Sequence, residues 1–348
     1  MTKPIVFSGI KPSGIVTLGN YLGAMKHWVA NQGEKTNYYC VVDLHSLTVP
    51  QDPQELLEQT RSLFAWLIAV GLDPDQTTLF VQSHVPAHAE ACWLLNTVTP
   101  MGWLSRMTQY KDYAAKNESV GTGIFDYPVL MAGDIILYDA TEVPVGDDQK
   151  QHVELTRDIV ATFNNRYGEA FFVTPEPVIP TVAARVMGLD DPSNKMSKSH
   201  AHIRGHAVGL GDDPKEILRS FKKAKTDGFN EIAFSDDPER AGVNNLLGIY
   251  KAITGKTNGE VEADFASARG YGDLKVGVAE VVIDALRPLQ EEYGKLMSDS
   301  AELDSLMKKG ADAASDVAQA KVDQMKEIMG LIVPKSRKSR ITRGEMIA

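Results

Sequence analysis

Two lysines and two serine hydroxyls lie within five residues of the chain, in Lys195-Met196-Ser197-Lys198-Ser199, which we call the clamp loop. The preceding Asp191-Pro192 is a turn signal, so the segment is predicted to be a loop. Cations and hydroxyl donors on a loop suit a polyphosphate, because they can pair with several phosphate oxygens at once. A solvated basic loop could have the same sequence, so five residues alone do not distinguish it from a phosphate-binding loop.

A glycine-bearing turn provides a second element between a predicted strand and a predicted helix. It runs from Ser8 to Gly14 and is followed by Thr17-Leu18-Gly19-Asn20. Glycines let the backbone approach a ligand closely, and a helix N-terminus offers unpaired N–H groups to an anion. Taken alone, such a turn usually has no ligand-binding role. With the clamp loop following it much further along an α/β pattern, the pair is a strong signal for nucleotide binding.

An alternation of strand-like and helix-like segments must position these two elements. Strands are predicted at residues 5–7, 38–42, 79–81 and 142–145, and helices at 20–30, 53–71 and 149–163. Asp52-Pro53 predicts a helix N-cap followed by proline at the first helical position, and Gly71 marks the end of that helix. This order is typical of a parallel α/β sheet, which binds ligands where strands lead into helices.

The alternation disappears after about residue 200, and helical spacing replaces it. Apolar residues between Leu274 and Leu289 recur at helical intervals, and residues 301–330 also read as helix, with an interruption expected at Gly310. The C-terminal part is therefore predicted to be all-helical. Residues 335–348 form a tail with five basic residues and no acidic one between Lys335 and Arg343, for which disorder is the expectation.

Composition narrows the class of protein. The 348 residues carry a net charge of −10, which argues against wholesale electrostatic capture of nucleic acid but allows a local basic footprint. Only Cys40 and Cys92 are present, so neither a disulfide framework nor a four-cysteine zinc site can form. No apolar run is as long as a membrane helix, and no signal-peptide pattern opens the chain. We therefore expect a cytoplasmic protein with free thiols and no membrane partner.

The two elements together resemble the class I aminoacyl-tRNA synthetases, whose signatures are a His-Ile-Gly-His-like turn and a Lys-Met-Ser-Lys-Ser loop. The variant Thr17-Leu18-Gly19-Asn20 is similar to the tryptophan-specific branch. Further similar stretches are residues 42–45, 107–109, 127–134 and 146–152, so the likeness to bacterial members extends nearly to Gly330. The resemblance implies an ATP-dependent enzyme that activates L-tryptophan as an adenylate and transfers it to tRNA(Trp).

The resemblance also implies roles for individual residues around ATP. It assigns catalytic roles to Thr17, Asn20, Lys195 and Lys198. It assigns ATP binding to Pro12, Ser13, Gly19, Asn20, Gly146, Asp147, Asp148, Val186, Lys195, Met196, Ser197, Lys198 and Ser199. Lys11 is added to both groups as a hypothesis, because its charge lies within the same turn. Asp148 would take the ribose hydroxyls. Magnesium is expected to be carried mainly by the ATP phosphates, with no metal site of the protein's own.

Tryptophan binding is implied for a second group of residues: Phe7, Gly9, His45, Tyr127, Met131, Asp134 and Gln149. Tyr127, Met131 and Asp134 are spaced i, i+4 and i+7, so they share one face if the segment after Pro128 is helical. An indole is an apolar plate with one N–H donor. Asp134 is therefore the residue expected to read that donor, and an unpaired acceptor would penalise phenylalanine. Without the resemblance, an exposed or capping aspartate would be the better interpretation.

Two positions depart from the bacterial pattern. Lys11 stands where relatives commonly have glutamine, and Tyr113 stands where they commonly have a lysine near the ATP phosphates. We hypothesise that Lys11 replaces the missing positive charge. Separately, His200, His202 and His206 follow the clamp loop, and with no acidic or cysteine partner evident they are expected to be solvated loop histidines.

The implied organisation is a Rossmann-like catalytic domain over residues 1–200, a helical anticodon-binding domain over 201–334 and the basic tail. A homodimer is also implied. Arg219, Lys222, Lys223 and Lys225, which mix with Phe221, are candidate tRNA backbone contacts, although helix surfaces carry such lysines routinely.

Three other functions remain open. A tyrosine-specific synthetase would normally carry a histidine at position 17 or 20, and this chain has neither. A catalytically silent paralogue that binds tRNA or regulates expression is kept open by the changes at positions 11 and 113. A small nucleotidyltransferase would not need the helical C-terminal part.

Overall fold

The computed structural model describes residues 3–146, 149–168, 170–178, 185–196 and 205–334. Within these ranges five parallel strands form one sheet with the order β3-β2-β1-β4-β5. The strands are β1 Ile5–Ile10, β2 Thr36–Val41, β3 Thr78–Val81, β4 Glu142–Pro144 and β5 Glu176–Val178. The sheet confirms the predicted α/β class. The strand order reverses beside β1, and ligands of open α/β sheets bind at such a switch point.

Helices connect the strands and then take over the chain. The first helix begins as α1 Leu18–Asn20, passes through a π-helical turn Tyr21–Met25 and continues as α2 Lys26–Asn31. The other helices of the first half are α3 Asp43–Ser46, α4 Pro53–Ala69, α5 Ala87–Asn96, α6 Met101–Leu104, α7 Thr108–Ala114, α8 Thr122–Ile136 and α9 Lys150–Tyr167. Those of the second half are α10 Pro214–Lys222, α11 Ala241–Thr254, α12 Asn258–Asp264, α13 Tyr271–Ser298 and α14 Ser300–Ile328. None of the described helices is long and apolar enough to cross a membrane.

The start and end of α4 are as its sequence predicts. The Asp52 side chain accepts hydrogen bonds from the backbone N–H groups of Gln54 and Glu55, and Pro53 occupies the first turn. This cap satisfies N–H groups that have no partner within the helix. The chain leaves the helix through Gly71, whose φ of +110° is a conformation that glycine adopts at little cost.

The sheet is covered on both faces by helices. Tyr39 and Val41 of β2 pack into one apolar core with α4 and the helices of the second half, α10, α11 and α13. Cys40, between them, faces the opposite core, which contains α5, α8, α9 and part of α14. This alternation follows from the two-residue period of a strand. Cys40 is buried, whereas Cys92 is only partly buried, and both are free thiols.

The predicted interruption of the last helix at Gly310 is wrong, because α14 runs unbroken through this residue. Gly310 lies against the sheet, and a Cβ added there would be 1.7 Å from the carbonyl oxygen of Leu79 in β3. Ala311, Ala314 and Ala318 continue the small-residue face into the core. The glycine therefore permits close contact between helix and strand rather than ending the helix.

Candidate active site

A cavity of about 530 Å³ lies at the carboxyl ends of the central strands. Its wall combines residues of β1 and β4, residues that follow β1, β2 and β4, one face of α8 and the start of α9. The cavity brings together every residue predicted for tryptophan binding, namely Phe7, Gly9, His45, Tyr127, Met131, Asp134 and Gln149. Lys11 and Gly146, predicted for ATP, line it as well. The volume suits a ligand of small-molecule size.

Helix α8 provides the shared face that the spacing predicts. It begins at Thr122, ahead of Pro128, and includes that proline. Tyr127, Met131 and Asp134 all contribute to the cavity wall. The face therefore offers a hydroxyl, an apolar thioether and a carboxylate to one ligand.

Asp134 is buried, with 1% of its surface exposed, and its carboxylate is held by three side chains. Oδ1 accepts hydrogen bonds from Gln82 Nε2 at 2.7 Å and from His88 Nδ1 at 2.6 Å, and Oδ2 lies 2.7 Å from His45 Nε2. Burial alone would raise the pKa of this carboxyl, but the charge of His45 and hydrogen bonds from His45 and His88 hold the pKa well below its usual range. Asp134 is thus an ionised acceptor.

Gln82 and His88 were not predicted as site residues. Gln82 directly follows β3, and His88 lies in the first turn of α5, so both are far from Asp134 along the chain. The signal that could have identified Gln82 is a polar side chain immediately after a buried strand, at the sheet edge where ligands bind. His88 has no comparable local signal.

Tyr127 is fixed by a second polar group. Its hydroxyl donates to Gln109 Oε1 and lies 2.6 Å from His152 Nε2. Burial raises the pKa of Tyr127 to about 12, so the phenol keeps its proton at neutral pH. The His45 ring meets the Tyr127 ring edge-on, with centroids 6.1 Å apart. These contacts set the orientation of the hydroxyl at the cavity wall.

The helix-start motif and the clamp loop meet through backbone contact. A Cβ on Gly19 would lie 2.8 Å from the Met196 carbonyl oxygen, so only glycine fits without displacement. The Met196 N–H donates to the Val186 carbonyl at 3.0 Å. Three residues predicted for ATP, Gly19, Val186 and Met196, are therefore neighbours although Gly19 is far from the other two along the chain.

Thr17 and Asn20 form a reciprocal cap at the start of α1. The Asn20 N–H donates to Thr17 Oγ1 at 3.3 Å, and Asn20 Oδ1 accepts from the Thr17 N–H and hydroxyl, each at 3.0 Å. Thr17 is fully buried. The structure therefore gives both residues a structural task at the helix N-terminus, which is an anion-binding position.

The base of the clamp loop is attached to the helical part of the chain. The backbone of Met187 pairs with that of Lys195, and Met187 is held in turn by Asn245 of α11. The Met187 N–H donates to Asn245 Oδ1 at 2.9 Å, and Asn245 Nδ2 donates to the Met187 carbonyl at 3.0 Å. Nearby, the Lys225 N–H donates to the Leu189 carbonyl at 2.7 Å. Asn245 was not predicted.

Several predicted ATP residues lie outside the cavity wall. These are Pro12, Ser13, Thr17, Gly19, Asn20, Val186, Lys195 and Met196. Lys195 is exposed, and half-buried Lys11, which does reach the cavity, has its pKa lowered by burial. Asp147, Asp148, Ser197, Lys198 and Ser199 lie outside the described residues.

Two other expectations change. His206 is not solvated but buried, with Nδ1 2.6 Å from Asp190 Oδ1, so an acidic partner is present. Gly188 makes room for it, since a Cβ there would lie 2.3 Å from His206 Cε1. His200 and His202 lie outside the described residues.

The candidate tRNA-contacting segment also differs in part. Phe221 is fully buried in the core, and Arg219 pairs with Glu216, whereas Lys222, Lys223 and Lys225 are exposed. The segment therefore presents cations without an aromatic surface for base stacking.

Comparison with known proteins places the chain among synthetases. Residues 1–287 match the sequence model of the family described as tRNA synthetases class I (W and Y). Among relatives, the tryptophan–tRNA ligase of Wolinella succinogenes is 49% identical over 333 residues, which cover 95% of this chain and 100% of that protein. The tryptophan–tRNA ligase of Bacillus anthracis is 48% identical over 336 residues, covering 97% and 99%.

A solved structure shows the same likeness in three dimensions. The tryptophanyl-tRNA synthetase of Campylobacter jejuni, complexed with ADP and tryptophan, superposes with a TM-score of 0.83 at 32% identity. The match covers 94% of this chain and 100% of that one.

Proposed function

Because this chain belongs to the class I tRNA synthetases for tryptophan and tyrosine, we propose how its cavity serves the tryptophan branch of that family. The activity is that of a tryptophan–tRNA ligase. The carboxylate of L-tryptophan attacks the α-phosphate of ATP, and pyrophosphate leaves. The 3′-terminal ribose hydroxyl of tRNA(Trp) then attacks the acyl carbon, and AMP leaves. The observation that carries the choice of amino acid is the buried, ionised Asp134 in the cavity wall.

Asp134 selects tryptophan over phenylalanine. An ionised carboxylate accepts hydrogen bonds and donates none, so it matches the indole N–H. Phenylalanine would leave the acceptor facing an apolar edge, and a site built around a hydrogen bond rejects such analogues strongly. Phe7 and Met131 supply apolar contact for the ring. We assign Tyr127 and Gln149 to the α-amino group of the substrate and His45 to its carboxylate.

Charge stabilisation is assigned to the ATP side of the site. Lys195 and Lys198 follow the triphosphate as negative charge moves toward pyrophosphate, while Thr17, Gly19 and Asn20 present the N-terminus of α1. Lys11 adds a cation from the cavity wall. Magnesium supplies further charge neutralisation when bound. The ion is expected to be held mainly by phosphate oxygens.

The remaining assignments follow the family. The helical part of the chain would read the anticodon, and Lys222, Lys223 and Lys225 are candidate contacts to the tRNA backbone. We propose a homodimer that acts in the cytoplasm.

Exchange of labelled pyrophosphate into ATP tests the function. Wild-type protein and Asp134→Asn should be assayed with tryptophan, tyrosine and phenylalanine. Exchange with tryptophan alone is expected, with a large loss in Asp134→Asn, because the amide presents a donor as well as an acceptor. Exchange with tyrosine alone would refute the tryptophan assignment. No exchange from well-folded protein would instead favour a silent paralogue.

A further inference from the structure

We propose that His88, Gln82 and Tyr138 position the Asp134 carboxylate so that Oδ2 presents one lone pair to the indole N–H. This inference rests on the proposed reading of indole by Asp134. The three residues lie behind the cavity wall and are not among the residues that line it. They act through Asp134 and are therefore positioning residues.

Both hydrogen-bonding positions of Asp134 Oδ1 are occupied. A carboxylate oxygen has two lone pairs, and both on Oδ1 are used, by Gln82 at 2.7 Å and His88 at 2.6 Å. Both donors are fully buried. Rotating Oδ1 toward the cavity would break both of these hydrogen bonds, so Oδ2 is the oxygen that faces the ligand.

The direction of the hydrogen bonds follows from the ionisation of Asp134. Since an ionised carboxylate only accepts, His88 must carry its proton on Nδ1. His88 Nε2 lies 2.8 Å from the Tyr138 hydroxyl. Burial raises the pKa of Tyr138, so the phenol keeps its proton. With the His88 proton placed on Nδ1, Nε2 of a neutral ring is an acceptor, and we assign the Tyr138 hydroxyl as its donor. Tyr138 thereby selects the His88 tautomer that donates to Asp134.

The remaining capacity lies on Oδ2. His45 Nε2, at 2.7 Å, takes one lone pair of this oxygen. No second donor among the residues that the structure describes bonds to Oδ2, so its other lone pair is assigned to one donor from a ligand, and indole has one N–H. The four lone pairs of the Asp134 carboxylate thus match three protein donors and one ligand donor.

The network is anchored to the sheet by ring packing. Tyr138 stacks on Tyr38 of β2 with centroids 4.4 Å apart and on Phe7 of β1 at 5.8 Å. Phe7 also lines the cavity. Phe7 therefore contributes to the cavity wall and also packs against the Tyr138 phenol that fixes His88.

The test compares tryptophan with 3-benzothienyl-alanine, in which sulfur replaces the indole N–H. His88→Ala is expected to lower kcat/KM for tryptophan by about ten- to a hundredfold, the range for losing a hydrogen bond to a charged group. The benzothienyl analogue, which makes no such bond, should lose much less, and KM for ATP should not change. His88→Asn, whose amide nitrogen replaces Nδ1, should recover part of the tryptophan loss. Tyr138→Phe should give a smaller loss of the same selectivity.

His84→Ala is the matched control, because His84 is exposed on the neighbouring turn and should leave both substrates unchanged. Equal losses for tryptophan and the analogue in His88→Ala would overturn the inference, as would no loss for either. If Asp134→Asn keeps its preference for tryptophan over the analogue, the proposed reading of indole fails first. If Asp134→Asn loses that preference and the variants at His88 and Tyr138 keep it, only the positioning network fails.

Discussion

Replacement of Gly310 by alanine tests whether α14 is pressed against the sheet. The new Cβ would be 1.7 Å from the Leu79 carbonyl oxygen, far inside the 3.0 Å below which real Cβ contacts are essentially never seen, so the helix must withdraw from the strand. The obstacle is backbone, and no change of rotamer relieves it. Overpacking of this kind costs about 3 kcal/mol at the upper end of its usual range, and the gain in helix propensity returns about 1 kcal/mol. We expect Gly310→Ala to lower the free energy of unfolding by about 2 kcal/mol.

Gly294→Ala is the matched control, because Gly294 is exposed within α13 and an added Cβ meets nothing within 4 Å. This variant should gain about 1 kcal/mol from propensity alone. Urea unfolding followed by circular dichroism measures both, with wild type in parallel. If Gly310→Ala proves as stable as Gly294→Ala, the close approach of α14 to β3 is refuted.

Four further predictions concern the site. Gly19→Ala should raise KM for ATP several-fold and leave KM for tryptophan unchanged in pyrophosphate exchange, because its Cβ would press on the Met196 carbonyl. Asn245→Ala should also raise KM for ATP in that assay, since it removes both hydrogen bonds that hold Met187; an unchanged value would show that the clamp loop does not depend on them. Lys11→Gln should weaken ATP use and turnover, and unchanged kinetics would contradict its substitution for the missing lysine. Asp134 has a lowered pKa in the folded state, so its ionisation stabilises the fold above about pH 4 and this contribution is lost as pH falls further. Asp134→Asn should therefore show a shallower loss of stability in acid, measured by urea unfolding between pH 5 and pH 3.

Local patterns predicted the elements that local forces determine. The cap at Asp52 and the end at Gly71 depend on backbone hydrogen bonds within a few residues, and both have the predicted form. The face of α8 follows from helical spacing alone. Gly310 was misjudged because helix propensity registers the missing side chain but not the strand that lies against it.

The residues of the candidate site also divide into those that sequence patterns predicted and those that they did not. Residues with a pattern or a family counterpart, such as Asp134 and Tyr127, were predicted and meet in one cavity. Gln82 follows β3 and His88 lies in α5, and only the packing of these segments against α8 brings both side chains to Asp134. His206 was misjudged for the same reason, because its partner Asp190 lies on the other side of the clamp loop in the chain.

The two sides of the site are held by different kinds of contact, and this difference has a consequence for specificity. The ATP side includes direct backbone contacts, in the approach of Gly19 to Met196 and the pairing of Met187 with Lys195. The amino-acid side depends on side chains, because His45 of α3 and His88 of α5 hold Asp134 of α8. A side chain can be replaced without moving the chain, whereas a backbone contact cannot. Substitutions around Asp134 should therefore change which amino acid is activated while leaving ATP use intact, which suits a family that serves both tryptophan and tyrosine with one nucleotide.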